Sequence, residues 1–243
     1  MNCVYSVLCI LPKSITCIES QPAAGNLFHQ NILIGGKSIM KLLLTGFEPF
    51  GGETSNPSFE AVKRLPERIG SAEIIKTELP VSFKNSGPAL ISAIEKHHPD
   101  AVICVGQAGG YAGIAIERTA VNLQDAAAVD NDGIQPEEQP VVAGGPDGYF
   151  SSLPVKRIAD ALKSNEIPAF VSNSAGTYVC NNVMYTLLHL IHSKHLPIRG
   201  GFIHVPFSVE QAACKAPGTP SMALEYMTKG LELAVRTVES ERI

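Results

Sequence analysis

From Met40 onward, short apolar segments alternate with segments of helical character, and this alternation is what most constrains the fold. Lys41–Thr45 and Ala101–Val105 are apolar runs that end at a glycine, as buried strands do. Between them, Ser86–His97 carries apolar residues at helical spacing, with a proline just beyond its end. Strands alternating with helices predict an α/β fold: a single domain with a mostly parallel, twisted sheet and helices on both faces. The 243 residues, 45% of them hydrophobic, suffice for one such domain.

Residues 1–39 read differently from the rest of the chain. They hold three of the six cysteines, carry little charge and show no regular period. As a signal peptide the segment is poor, because no basic residue precedes its apolar run and no small-residue cleavage site follows cleanly. We therefore expect Met40 to be the true start of translation, with residues 1–39 as a leader; a short disordered extension is the alternative. The folded domain is assigned to residues 40–243.

Charge and composition argue against several classes of function. The net charge is -4 and no basic patch stands out, so we do not expect a nucleic-acid partner. No apolar run of about 18 residues occurs, so we expect no membrane span. The six cysteines form no C-x-x-C pair, which argues against a structural zinc site. Free thiols in a reducing compartment are the expected state.

The second half of the domain holds both regular and irregular segments. Ile114–Leu123 has extended character. Residues 124–149 are rich in Asp, Pro and Gly, and we predict a long loop there, with a hairpin as the alternative. Helices are predicted from about Cys180 to His195 and over Ser221–Ser240, the latter with an apolar face.

Cys180 is the strongest candidate for a reacting group. A short strand and a turn of small residues place it at or near the start of an apolar-faced helix. The free N–H groups and partial positive charge of a helix N-terminus favour a thiolate and can hold an oxyanion. The alternative is that Cys180 is a small buried hydrophobe, the usual fate of a free cysteine. Cys104, inside an apolar run, is predicted to be core, and Cys214 lies in a loop or at a helix end.

A catalytic thiol needs an imidazole that is oriented by a third group. Among the seven histidines we favour His204, which ends an apolar strand, because sites in open α/β sheets lie at the carboxyl ends of strands. A satisfied core histidine is the alternative. For the orienting acid we favour Glu117, which alternates with apolar neighbours, although it could instead pair with Arg118. The rival acids lie in the following loop: Asp125, Asp130 and Asp132.

These candidates belong to a longer series of motifs. In chain order the motifs are Leu44–Gly52, Asn56-Pro57-Ser58, Gly106–Gly110, Ile116-Glu117-Arg118, Ser174–Asn181 and Phe202–Pro206. In this order and spacing, the chain from Met40 to about Val238 resembles the pyroglutamyl-peptidase I (pyrrolidone-carboxylate peptidase) family. The resemblance implies a cysteine exopeptidase that removes N-terminal pyroglutamate from peptides and proteins through a thioester acyl-enzyme. It also implies no metal or cofactor, a cytoplasmic location and a homotetramer.

The resemblance further implies roles for individual residues. It makes Cys180 the nucleophile, His204 the base and Glu117 the group that orients the base. Pyroglutamate is a neutral five-membered lactam, so its site needs apolar faces for the ring and polar groups for the lactam N–H and C=O. By resemblance, two phenylalanines line the ring pocket and two amides lie nearby as structural or polar contacts: Phe47, Phe50, Asn56 and Gln107. The phenylalanines could instead be core residues at the top of the first strand.

Two positions depart from the family pattern, and two rival functions stay open. Asn182 stands where many relatives carry a histidine, and we expect little effect, since that position is not the base. Many relatives carry an arginine in the loop where this chain has Asp125–Ala128, and that arginine is a candidate to bind the oxyanion. In this chain the N-terminus of the helix at Cys180 is the other candidate for that role. The first rival is an anion-binding, phosphorylase-like protein that uses the glycines of Gly46–Gly52 and Gly106–Gly110. The second is a catalytically silent relative that serves as a subunit or scaffold.

Overall fold

Residues 33–34 and 37–241 are described by the structure, a computed structural model, with side chains from Ile39 to Glu241. These residues belong to one compact unit. Most of the segment 1–39, and with it the expectation of a leader or an extension, lies outside the described residues. The described part of that segment includes a short antiparallel ladder between β1 (Leu33–Ile34) and β2 (Lys37–Ser38).

Strands and helices then alternate along the chain, as the sequence predicts. The strands are β3 (Met40–Phe47), β4 (Arg68–Ile69), β5 (Ala72–Leu79), β6 (Ala101–Gln107), β7 (Ile114–Glu117), β8 (Thr119–Val121), β9 (Gly148–Phe150), β10 (Ala169–Ser172) and β11 (Arg199–Val205). The helices are α1 (Pro57–Lys63), α2 (Ser86–His97), α3 (Val155–Lys163), α4 (Val179–Ser193), α5 (Val209–Ala213) and α6 (Leu224–Ser240). Helix α2 begins and ends at the predicted residues.

Seven of these strands form the central sheet, in the spatial order β10-β7-β11-β6-β3-β5-β4. The inner strands β11, β6, β3 and β5 run parallel to one another. Strand β4 at one edge, and the β7–β10 pair at the other, run antiparallel to this block. The prediction of a single α/β domain with a mostly parallel sheet is confirmed.

Helices cover both faces of the sheet, which also confirms the prediction. On one face, α1, α3 and α6 pack over an apolar cluster that includes Ile203 and Val205. On the other face, α2 and α4 pack over a cluster that includes Leu43 and Phe202. Because successive side chains of a strand point to opposite faces, His204 lies on the second face, beneath α4.

The structure differs from the predicted elements mainly between residues 114 and 150. The extended segment Ile114–Leu123 divides at Arg118 into β7, which stays in the central sheet, and β8, which leaves it to pair with β9. Residues 124–147 form most of the predicted loop and include one isolated antiparallel bridge, and Gly148 then begins β9. Helix α5 was not predicted, and α6 starts later than predicted, because periodicity marks a buried face better than it marks a first turn. Within residues 37–241, no helix has the length and apolar content needed to cross a bilayer.

Candidate active site

Helix α4 carries Cys180 in its first turn, and this turn has no side-chain cap. Its N-cap residue, Tyr178, makes no capping hydrogen bond, and the Tyr178 hydroxyl donates instead to the carbonyl of Val129 at 2.9 Å. The first N–H groups of any helix have no intrahelical partner, and at the start of α4 the N-cap side chain does not supply one either. These free donors, together with the positive end of the helix dipole, surround the backbone of the cysteine.

Two buried asparagines hold the start of α4 in place. The Asn181 side chain accepts a hydrogen bond from the Val121 N–H and donates to the Val121 carbonyl, both at 2.9 Å, so it pairs with β8 as another strand would. The Asn182 side chain accepts from Gln124 Nε2 at 2.7 Å and donates to the Phe83 carbonyl at 3.2 Å. The amide of Asn182 is therefore engaged in structural hydrogen bonds that tie α4 to the long loop and to the start of α2.

The sulfur of Cys180 lies over strand β6, at a position where the strand has no side chain. A Cβ at Gly106 would come within 2.9 Å of the Cys180 sulfur and within 2.7 Å of the Phe202 ring. Glycine therefore gives the sulfur room to approach the sheet. Strands β6 and β11 pair in parallel with Gly106 opposite His204, so the sulfur and the imidazole meet above one pair of neighbouring residues. From the sequence, Gly106 was expected only to end an apolar run and to belong to a motif, and its role as a spacer was not predicted.

Glu117 reaches His204 across the antiparallel pair β7–β11. The register places Glu117 opposite Phe202 and Ala115 opposite His204, so the acid and the imidazole are diagonal neighbours on one face. His204 Nδ1–H donates to Glu117 Oε1 at 2.8 Å, and Glu117 is fully buried. The other carboxylate oxygen, Oε2, accepts no hydrogen bond from the described residues. The buried acid is therefore directed at the imidazole alone.

Arg118, the alternative partner of Glu117, and the rival acids Asp130 and Asp132 are engaged in contacts elsewhere. Arg118 donates to Asn173 at 3.0 Å and forms no ion pair with Glu117 within the described residues. Asp130 accepts from three loop or turn N–H groups, including that of Phe83 at 2.8 Å. Asp132 accepts from side chains near the start of α2. These two acids fix the long loop on the body of the domain.

The electrostatic surroundings of His204 favour the imidazolium form. Burial by itself lowers the pKa of this histidine. The negative charge of Cys180 and its hydrogen bond with the ring, followed by the hydrogen bond and charge of Glu117, outweigh burial and raise the pKa of His204 to about 9. With Nδ1 bound to Glu117, Nε2 is the ring nitrogen left for the sulfur. The contact order is thus carboxylate, imidazole, thiol.

Cys180 opens into a cavity of about 280 Å³ that includes open solvent. The lining residues are Phe47, Phe50, Asn56, Val81, Gln107, Tyr178, Val179 and Cys180. All four residues that the resemblance assigned to the substrate therefore lie together beside the thiol. Val81, Tyr178 and Val179 were not predicted to line the site, although the last two directly precede Cys180 and belong to the motif Ser174–Asn181.

The two amides of the cavity differ in how free they are. Asn56 caps α1: its oxygen accepts from the N–H and hydroxyl of Ser58 at 3.1 and 2.8 Å, and its nitrogen donates to the Glu48 carbonyl at 2.9 Å. Gln107 accepts from Gln211 Nε2 at 3.0 Å through its oxygen, and its own nitrogen donates to no group among residues 39–241. Asn56 is therefore chiefly structural, whereas Gln107 keeps a donor for a ligand.

The remaining cysteines and the altered loop lie outside this arrangement. Cys104 is fully buried, and burial raises the pKa of its thiol to about 12, so it is an inert core residue as predicted. Cys214 is exposed at the end of α5. The altered loop approaches α4 through its backbone: Asp125 N–H donates to the Thr177 carbonyl at 3.1 Å, and the Thr177 hydroxyl donates to the Asp125 carbonyl at 2.6 Å. Within residues 37–241, no group of three or more His, Cys, Asp or Glu side chains could hold a metal ion.

An α/β fold in which a thiol contacts an imidazole, and the imidazole a buried carboxylate, has the arrangement of a cysteine hydrolase. The sequence model of the family described as pyroglutamyl peptidase matches residues 40–241, so the chain belongs to that family. It is 54% identical over 199 residues to the pyrrolidone-carboxylate peptidase of Thermococcus kodakarensis, covering 82% of this chain and 96% of the relative. It is 52% identical to that of Enterococcus faecalis, covering 82% and 95%. The crystal structure of Bacillus amyloliquefaciens pyroglutamyl peptidase I superposes with a TM-score of 0.81 at 48% identity, over 83% of this chain and 98% of that one.

Proposed function

We propose that this chain is a cysteine exopeptidase that hydrolyses the N-terminal pyroglutamyl residue from peptides. The observation that carries the proposal is the contact series Glu117–His204–Cys180, which ends at a small, largely apolar cavity. The family and the relatives named above agree with this chemistry. In this proposal Cys180 is the nucleophile, His204 the acid–base group and Glu117 the group that orients His204.

The first half of the reaction is acylation of the sulfur. The Cys180 thiolate attacks the pyroglutamyl carbonyl carbon, and the carbonyl oxygen gains the negative charge of a tetrahedral intermediate. Free N–H groups in the first turn of α4 hold that oxygen. The His204 imidazolium then gives its Nε2 proton to the peptide nitrogen as the C–N bond breaks, which leaves a thioester and a free peptide amine.

The second half is hydrolysis of the thioester. Neutral His204 takes a proton from water, the resulting hydroxide attacks the acyl carbon, and the C–S bond breaks to return the thiolate and release pyroglutamate. Throughout, Glu117 accepts the Nδ1 hydrogen bond, which keeps Nε2 facing the sulfur and stabilises the positive charge on the ring.

The lining of the cavity suits a neutral ring that carries a carbonyl group. Phe47 and Phe50 offer apolar faces, and Gln107 offers an N–H donor that suits the lactam carbonyl. Among the described residues, no carboxylate lines the cavity to pair with the ammonium of an ordinary N-terminus. Burying that ammonium without a partner is costly, so a prolyl terminus is disfavoured against pyroglutamate.

The test of this function compares two fluorogenic amides that differ at one ring position. The purified full chain is expected to release the fluorophore from a pyroglutamyl amide and to release little from the prolyl amide. Prior treatment with a thiol-blocking reagent is expected to abolish the release. Equal cleavage of both amides, or no cleavage of either, would contradict the proposal, and no cleavage would favour a catalytically silent relative.

Two further properties belong to the same proposal. We place the protein in the cytoplasm, because a reactive thiol and the free Cys104 and Cys214 suit a reducing compartment. We propose a homotetramer on the strength of the family resemblance. An anion-binding, phosphorylase-like function is less well supported, because the part of the chain that the structure describes places no lysine or arginine in the cavity lining.

A further inference from the structure

The carboxamide of Gln107 poses a problem of orientation. Its oxygen and nitrogen are nearly alike in size, so the side chain can present either an acceptor or a donor to the cavity. A site for a lactam carbonyl needs the donor there. Something other than shape must therefore select which end of Gln107 faces a ligand.

The selecting group in the structure is Gln211, in the first turn of α5. The backbone N–H of Ser208 donates to Gln211 Oε1 at 3.1 Å, and the backbone carbonyl of Ser55 accepts from Gln211 Nε2 at 3.4 Å. A backbone N–H can only donate and a backbone carbonyl can only accept, so these two groups fix the Gln211 amide from both ends. Gln211 is itself buried, with 5% of its surface exposed.

The fixed orientation passes from Gln211 to the cavity. Gln211 Nε2 donates to Gln107 Oε1 at 3.0 Å, which holds the oxygen of Gln107 on the side of α5. Gln107 Nε2 is left without a protein acceptor among the described residues and lies on a side chain that lines the cavity beside Cys180. The Ser208 N–H thus fixes the orientation of the Gln211 amide, and Gln211 in turn fixes the orientation of the Gln107 amide in the cavity lining.

We propose that Gln211 is a positioning residue that sets the specificity of the cavity by fixing Gln107 as a hydrogen-bond donor. The class of ligand selected in this way is a five-membered ring with a carbonyl oxygen, a lactam. The inference rests on the proposed function, because it names the group that orients a contact to the same substrate. Gln211 itself touches no reacting atom.

Gln211 also completes a capping box with Ser208, so a purely structural role has to be separated from this one. The variant Gln211→Glu makes the separation, because glutamate suits this capping position and still accepts from the Ser208 N–H. A carboxylate cannot donate to Gln107 Oε1. It accepts from Gln107 Nε2 instead, which turns the Gln107 oxygen toward the cavity and reverses the polarity that the ligand meets.

The experiment measures how well 2-pyrrolidinone, the bare lactam, protects Cys180 of the full chain from alkylation by iodoacetamide. Alkylation without the lactam is expected to proceed at the wild-type rate in Gln211→Glu, while half-protection requires at least about tenfold more lactam. The kcat/KM for the pyroglutamyl amide is expected to fall by a similar factor, chiefly through KM. Gln211→Met releases Gln107 without reversing it and is expected to show a smaller loss, which keeps the test available if the glutamate variant does not fold.

Two controls separate orientation from stability. Ser208→Ala removes the hydroxyl that caps α5 but keeps the backbone N–H that fixes Gln211, so lactam protection is expected to stay within about twofold of wild type. In a Gln107→Met background, Gln211→Glu is expected to cause no further loss, because the residue through which it acts is gone.

Several results would overturn the inference. Wild-type lactam protection in Gln211→Glu would do so, as would a full additional loss in the Gln107→Met background, or an equal loss in Ser208→Ala. Alkylation does not depend on turnover, so a chain that is protected by the lactam but cleaves no amide refutes the proposed reaction and leaves the inference standing. A wild-type chain that cleaves the pyroglutamyl amide but is not protected by the lactam refutes the inference and leaves the proposed reaction standing.

Discussion

Helix α4 begins at the active-site cavity and α5 contacts the cavity residue Gln107 through Gln211, yet the first turns of the two helices are built in opposite ways. Within the described part of the chain, the N-cap side chain of α4 makes no capping hydrogen bond, which leaves the first N–H groups beside Cys180 without that partner. The first turn of α5 is closed by a capping box, in which Ser208 and Gln211 each bond to the backbone of the other. The open start leaves donors for a reacting carbonyl, whereas the closed start holds a side chain that orients Gln107.

The difference shows how one structural element serves two purposes. Free N–H groups at a helix start lower stability slightly but can bind developing negative charge. A capped start gives up that capacity and fixes neighbouring groups instead. We therefore expect changes at α4 to affect chemistry most, and changes at α5 to affect recognition or stability.

The largest expected effect is at the open start, in Cys180→Ser. A serine hydroxyl in this position is a far weaker nucleophile than a thiolate, so kcat/KM for the pyroglutamyl amide should fall by about 10³-fold or more. The side chains are nearly the same size, and the melting temperature should change by only a few degrees. Steady-state kinetics and thermal unfolding of the same preparation measure both quantities. Wild-type turnover in this variant would remove Cys180 from the mechanism.

Glu117→Gln should rank second. A neutral amide stabilises the imidazolium less than the buried carboxylate does, and it permits the wrong tautomer, so kcat should fall by about 10²- to 10⁴-fold. In the wild type the imidazolium is lost as pH rises through about 9, and kcat/KM should decline there. Because Glu117 contributes to the raised pKa of His204, this alkaline limb should move to lower pH in the variant. An unchanged limb in the pH–rate profile would contradict the assigned role of Glu117.

Gly106→Ala should have an intermediate effect. The new methyl group would lie 2.9 Å from the Cys180 sulfur and 2.7 Å from the Phe202 ring, so the sulfur and the ring must shift from their present positions. A displacement of this kind should lower kcat by about 10²-fold with a smaller change in KM. Gly109→Ala offers a comparison, because a methyl group there would meet the Phe207 ring and not the sulfur. Equal kcat values for Gly106→Ala and the wild type would show that the sulfur does not need this space.

The smallest expected effect is at the closed start, in Ser208→Ala. Loss of the capping hydroxyl should lower the free energy of unfolding by about 1 kcal/mol, measured by denaturant titration. The preference for the pyroglutamyl over the prolyl amide should be kept, since the Ser208 N–H still fixes Gln211. A collapse of that preference would mean that the cap and the orientation of Gln107 are inseparable.

Much of this molecule could be predicted from sequence, for identifiable reasons. Apolar runs such as those of β6 and β11 and the helical period of α2 are local signals, and they sufficed for the α/β fold. The pattern at Cys180 and His204 suggested chemistry only weakly, and the series of motifs raised it to a specific expectation.

Other features could not be predicted, because they depend on contacts distant in sequence. The reversed direction of β7, which makes Glu117 a diagonal neighbour of His204, follows from sheet pairing that no local pattern reveals. The role of Gly106 depends on a sulfur 74 positions further along, and that of Gln211 on an amide 104 positions earlier. Each of these residues looks ordinary within its own segment.

The central physical claim is that the open start of α4 and the imidazolium of His204 together make Cys180 reactive. The described residues supply an internal reference, since Cys214 is an exposed thiol outside the site. The most direct measurement is the rate of iodoacetamide alkylation of each cysteine, resolved by peptide mass spectrometry, at a pH well below the ordinary pKa of a thiol. The account predicts that Cys180 reacts faster than Cys214 at this pH and loses that advantage in His204→Ala. Faster reaction at Cys214, or an unchanged Cys180 rate without the imidazole, would contradict it.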